Sequence, residues 1–186
     1  MAAIYSNRAA LRSSLGQYAE ARALHNKALE IESEVYGTDH PELAGDVYLL
    51  GTTLLQLKQY DLADKAFLRA MDLLTDHKID RELIPLIATG RARAQLQLGD
   101  IKEAEKCFLL GVQHARNIHG SEHKRMADAL SALGFFYVRK GDLQKAELRY
   151  LQALEIYENT LGKEHESVYG MKRELAFLYH LLDRPE

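Results

Sequence analysis

Three shortages narrow the reading of this chain: among its 186 residues it holds one cysteine, three prolines and no tryptophan. The single Cys107 cannot close an intrachain disulfide and leaves no thiolate cluster for zinc, so an intracellular, cytoplasmic setting fits better than a disulfide-built secreted scaffold. Scarce proline, set against plentiful Ala, Leu, Glu, Lys and Gln, favours an all-α chain. No apolar run approaches the ~20 residues a membrane-spanning helix needs. Charge of one sign is also lacking. With 24 Lys and Arg against 27 Asp and Glu, the net charge is −3, and no basic field for nucleic acid is present. Catalytic patterns are missing too: there is no His-Glu-x-x-His, and nothing in the sequence pairs Cys107 with a base. The expectation is a non-catalytic protein without a metal or cofactor.

What the chain does contain is a repeat. The stretch Gly141-Asp142-Leu143-Gln144-Lys145-Ala146, running on to Ala153-Leu154, has three echoes upstream that begin at residues 16, 58 and 99. The spacings are 42, 41 and 42 residues, and self-similarity at a fixed period of that size is the mark of a solenoid. Between the echoes, apolar residues recur every three or four positions, as in helices with one buried face. This patterning predicts helices over 2–15, 18–36, 41–57, 60–76, 82–98, 101–119, 123–140, 143–161 and 165–182. Paired in order, they give four repeats (2–40, 41–80, 81–122 and 123–164) and an unpaired terminal helix over 165–182, in a single array over 1–186.

The punctuation agrees. Gly37, Gly120 and Gly162 follow the second helices, where a left-handed residue closes the last turn. Asp39-His40-Pro41-Glu42 reads as a helix start. Pro85 requires either a helix start near Ile84 or a kink. The joint at Thr75–Asp80 lacks the glycine. Where paired helices must approach closely, small residues are expected, and they are found at Ala9, Ala21, Ala28, Gly51, Ala63, Ala70, Ala92, Ala104, Gly111, Gly134, Ala146, Ala153 and Ala176. Between the small residues of each second helix lies a bulky one: His25, Phe67, Phe108 or Tyr150. These are read as wedges between pairs.

The first nineteen residues carry Arg8, Arg12 and several serines but no acid before Glu20. That composition resembles a mitochondrial transit peptide, but Arg8 and Arg12 share a face with Ile4 and Leu15, which favours the first helix of the first repeat. The three histidines His40, His123 and His165 occupy the same place in three joints, about one repeat apart. That is too far for shared coordination at ~2 Å, so they are assigned to capping and packing.

Leu133-Gly134, Tyr137, Gly141, Ala146, Tyr150 and Ala153, together with Leu50-Gly51, Ala63, Phe67 and Ala70, resemble the tetratricopeptide repeat pattern. The ordinary period of that family is ~34 residues. The longer period here, with Gly-x-x-His joints at Gly37–His40, Gly120–His123 and Gly162–His165, resembles the kinesin light chain subtype. Departures exist as well. The paired groove asparagines of that subtype are matched only at Asn7, with Leu49, Gly90, Ala132 and Glu174 at the other places, and no Lys/Asn carboxylate clamp is evident.

The resemblance implies a right-handed α-α superhelix whose first helices line a concave groove for a peptide or partner protein. The residues it places there include Ser6 and Ser13 in the first repeat, Tyr48 and Leu55 in the second, and Arg93 and Leu96 in the third. Phe135, Val138 and Arg139 follow in the fourth, then Arg173, Phe177 and His180 on the ninth helix. Such a lining suits a partner with apolar anchors and acidic flanks. The segment Ala176–Leu182 is apolar nearly all round, so Leu178, Leu182 or their neighbours are expected to form an exposed patch or one buried in a dimer or in a longer parent chain. Asp183-Arg184-Pro185-Glu186 falls where a further turn and helix would start. The alternative function is a mitochondrial assembly or maturation factor built on the same repeats.

Overall fold

The computed structural model describes residues 1–75 and 81–182, and no strand occurs among them. The helices are α1 (Ala2–Ser14), α2 (Tyr18–Tyr36), α3 (Ala44–Gln56), α4 (Tyr60–Thr75), α5 (Ile84–Leu98), α6 (Ile101–His119), α7 (Lys124–Lys140), α8 (Leu143–Leu161) and α9 (Glu166–Leu182). Two short 3-10 turns, Pro41–Leu43 and Arg81–Leu83, precede α3 and α5. The expected helices over 41–57 and 82–98 therefore each divide at their first turn. Pro85 lies in the first turn of α5, where its missing N–H costs nothing, so the early-start reading holds and no kink is needed. The joint expected at Thr75–Asp80 and the tail at 183–186 lie outside the described residues.

The joints are built from histidine. Nδ1 of His40, His123 and His165 accepts the backbone N–H of Glu42 (3.3 Å), Arg125 (3.1 Å) and Ser167 (3.1 Å) respectively. Each imidazole thus does what Ser or Asp usually does, filling one of the orphan donors at a helix start. The ring also packs, since His40 stacks on Tyr36 at 5.0 Å and His123 on His119 at 4.8 Å. Gly37 and Gly162 have φ of 90° and 85° with ψ of 162° and 155°. This is an extended, positive-φ conformation rather than the left-handed helical one expected, and it is open essentially only to glycine.

The chain divides into two compact units, Met1–Ala104 and Glu105–Glu186. In the first, Ala9, Ala21, Ala28, Gly51, Ala63, Ala70, Ala92 and Ala104 are all buried. The Phe67 ring, fully buried, lies against two glycines at once. A Cβ on Gly51 would come within 2.8 Å of it and one on Gly90 within 2.6 Å. Bare backbone on α3 and α5 is what lets the wedge seat, and Leu43, Val47, Leu54, Leu73, Leu74, Ile84 and Ile87 complete the core around it. Gly90, expected on the groove side, is thus a packing residue. Arg91 ties α5 to its neighbours through Asp64 at 3.0 Å and Glu103 at 3.5 Å.

In the second unit Gly111, Gly134, Ala146 and Ala153 are buried, and Tyr150 fills the wedge position. Burial pushes the Tyr150 hydroxyl up to about 12, so the ring stays neutral. Phe108 packs on Phe136 with ring centroids 5.3 Å apart, and Cys107 beside it is buried. Tyr157 donates its hydroxyl to Asp128 Oδ1 at 2.7 Å, which binds α8 to α7.

Candidate protein-interaction surface

Every small position named above is buried except Ala176, on α9. The stripe of α9 that is solvated around it is not simply apolar. Tyr169 donates to Glu164, Lys172 pairs with Glu158 at 2.9 Å, and Tyr179 shares a hydrogen bond with Glu147. Polar tips therefore lean back onto α8 and its joint. Leu178, expected in an exposed patch, is fully buried with Val168, Met171 and Leu175, because these positions are the i, i+3, i+7 stripe facing inward. Its neighbours Phe177 and Tyr179 are the exposed residues, at 54% and 40%.

The other expected surface residues separate by unit. In the first, Tyr48 is half-buried and packs against Phe67 with centroids 5.9 Å apart. Leu55 also leans on the core, Leu96 is half-buried, and Arg93 is exposed. Ser6 and Ser13 are half-buried. Ser6 Oγ donates to Asp46 Oδ2 at 2.8 Å and Ser13 Oγ lies 3.3 Å from Thr53 Oγ1, so both fasten α1 to α3.

In the second unit Phe135 on α7 is 47% exposed and Phe177 on α9 is 54% exposed. They stand 42 residues apart, at the same register of the repeat. Arg139 and His180 are exposed near them in sequence, Val138 is half-buried, and the Arg173 side chain is 81% exposed with only a loose contact to Glu174 at 3.8 Å. Phe135 and Phe177 thus expose apolar rings on the same helices as the exposed Arg139 and Arg173.

Sequence reasoning missed one group altogether. His25, Asp46 and Glu32 come together with Ser6 between α1, α2 and α3, and only His25 had drawn notice, as an odd wedge. The signal was available, since a histidine replaces the aromatic found in the other repeats. Among the described residues no group of His, Cys, Asp and Glu is arranged to hold a metal ion, and no helix is long and apolar enough to cross a membrane.

The chain matches the Tetratricopeptide repeat family profile over residues 1–76 and 83–159. It belongs to the tetratricopeptide repeat family. Similar solved structures include BtubC (BKLC) from P. vanneervenii, at a TM-score of 0.78 and 21% identity, covering 92% of this chain and 69% of that one. Another is a P. anserina protein described as a kinesin light chain with nearly identical TPR-like repeats, at a TM-score of 0.77 and 22% identity, covering 95% of this chain and 84% of that one. The repeats are thus of the kinesin light chain-like type in fold, all-α among the described residues. A Candida albicans protein, Clustered mitochondria protein homolog, is 28% identical over 138 residues, or 71% of this chain. The chain spans 10% of that relative's length. Tetratricopeptide repeats are protein–protein interaction scaffolds and are generally non-catalytic.

Proposed function

We propose that this chain is a non-catalytic adaptor that binds a peptide or partner protein on the exposed faces of its first helices. The observation that carries the reading is the pair Phe135 and Phe177, half-exposed at equivalent positions of α7 and α9 and flanked by Arg139, Arg173 and His180. Exposed aromatic rings bury large area at little entropic cost, and guanidinium groups beside them select carboxylates. The partner chemistry that suits them is an apolar anchor with acidic flanks. In the first unit the exposed Arg93 and the half-buried Leu96 on α5 offer a cation beside an apolar side chain, and Tyr48 and Leu55 on α3 are further half-buried candidates.

The test is affinity capture followed by mass spectrometry, with the wild-type chain compared against Phe135→Ser/Phe177→Ser and against Arg93→Glu/Arg139→Glu. Proteins captured by the wild type and lost from both variants are expected. Unchanged capture by both variants, with folding intact by circular dichroism, removes the reading.

A second reading, an assembly or maturation factor in mitochondria, is favoured by the acid-free stretch before Glu20 and by the name of the C. albicans relative. Against residues 2–15 acting as a leader, Ala9 is fully buried and Ser6 is bonded to Asp46, so α1 serves as part of the first helix pair. N-terminal sequencing of the mature protein, with imaging of its compartment, separates the two.

A further inference from the structure

The strongest unassigned surface is the outer face of α1. Ile4, Leu11 and Leu15 are 63%, 59% and 61% exposed, and the exposed Arg8 lies among them. Spacings of three and four residues put all four on one stripe, opposite the stripe that buries Ala9. Scattered singly, such side chains need no explanation; aligned on one helix, they form a patch that does. The later repeats show what covers this register. Ile4, Arg8 and Leu11 correspond to Ile87, Arg91 and Ala94 on α5 and to Met171, Leu175 and Leu178 on α9. Of these six, Arg91 is half-buried and the rest are buried. The cover comes from the second helix of the preceding pair. On α5, Arg91 Nε meets Asp64 Oδ1 of α4 at 3.0 Å, and on α7 the Phe136 ring meets Phe108 of α6.

The covering helices also share a charge. Six residues after the start of the echoes at 58, 99 and 141, α4, α6 and α8 carry Asp64, Glu105 and Glu147, whereas α2 carries Arg22. Each acid reaches forward to the next first helix: Asp64 to Arg91, Glu105 to Lys140 and Glu147 to Tyr179. Arg8 stands on α1 where Arg91 stands on α5, yet it has no ion pair among the described residues. The first acid of the chain, Glu20, is taken by Arg12 at 3.3 Å.

We propose that the outer face of α1 docks an amphipathic helix of a partner protein, seated as α4 seats on α5, with a carboxylate of that helix on Arg8. Ile4, Leu11 and Leu15 supply the apolar contact, and Arg8 fixes the register through a charge-assisted hydrogen bond. A second copy docked through its own α1 does not suit the face, because that helix brings no acid and would cover Arg8 without a counter-charge. The site lies on a different helix from Phe135 and Phe177, and its failure would leave the adaptor reading above untouched.

A peptide of residues 142–162, which spans α8 and carries Glu147, is the probe. It is titrated to about 1 mM into the isotope-labelled full chain and followed by amide NMR shifts. Shifts are expected on α1 at Ile4, Arg8 and Leu11. Arg8→Glu should weaken binding about tenfold, and the Glu147→Lys peptide should recover that loss on the Arg8→Glu chain but not on the wild type. Leu11→Ser should weaken both peptides, with folding of each variant checked by circular dichroism. The proposal fails if the peptide leaves the α1 signals in place or if Arg8→Glu binds it as the wild type does. It also fails if sedimentation shows a dimer that Leu11→Ser dissociates, which would assign the face to a second copy. Binding to phosphatidylserine vesicles that Leu11→Ser abolishes would assign it to a lipid surface and overturn the proposal equally.

Discussion

Gly134→Ala sets two effects of known size against each other. Glycine inside a helix costs about 1 kcal/mol relative to alanine, so at an open site the substitution would stabilise α7 by that amount. Gly134 is not at an open site. A Cβ there would lie 2.5 Å from Cδ1 and 2.6 Å from Cε1 of Tyr150, where carbon–carbon contacts settle at about 3.5–4.0 Å. The ring is 1% exposed, and the contact falls on its near edge, not on a flexible tip, so it must move by roughly 1 Å within a close-packed interior. Overpacking of this kind costs about 1–3 kcal/mol, which leaves a net loss of up to about 2 kcal/mol after the helix gain. For a chain of this length that is a fall of up to about 8 °C in the thermal midpoint. Far-UV circular dichroism of the wild type, Gly134→Ala, Tyr150→Leu and Gly134→Ala/Tyr150→Leu measures it. In the background without the ring, alanine should change from a cost to a gain, a coupling that is read directly from the cycle. A single variant that melts higher than the wild type would refute the claim that ring and glycine fit as a pair.

Two further substitutions test the ends of the helices. Lys58 has φ of 58° at the turn where the other repeats carry Gly16, Gly99 and Gly141, and it is exposed; Lys58→Gly should stabilise by about 0.5–1 kcal/mol, seen as a raised denaturant midpoint. His123→Ala removes the acceptor that caps α7 and should cost about 1 kcal/mol, whereas His123→Asn keeps an acceptor and should cost only a few tenths, by the same measurement.

The architecture was legible because close helix crossing leaves no choice of residue. Small residues at Ala9 through Ala153 follow from geometry, and a period of 42 or 41 residues repeats them often enough to be recognised. The histidine caps were legible for a similar reason, as a residue recurring at one place in three joints. The surface was harder to read, because a helical position three or four residues from a buried one lies near the margin between core and solvent. Gly90 fell on the inner side of that margin, and Leu178 did so on α9, while Phe135 and Phe177 fell outside. Asp46 and Glu32 escaped notice because a carboxylate in an amphipathic helix reads as solvated, and only the fold brings the two together.

The seat of Phe67 also bears on how such an array can be cut and rejoined. Its ring rests on Gly51 within its own repeat and on Gly90 in the next, so a segment excised from turn to turn carries the ring away and leaves its second seat behind. A transplanted second repeat would need a glycine at the matching place downstream, and a neighbour bearing alanine there would reject it. For the second repeat the portable module therefore runs from the Phe67 ring to Gly90, out of phase with the boundaries the turns suggest. Duplication or shuffling of these repeats is tolerated where donor and acceptor sites travel together, which makes the offset module, rather than the helix pair, the piece to exchange in building longer arrays.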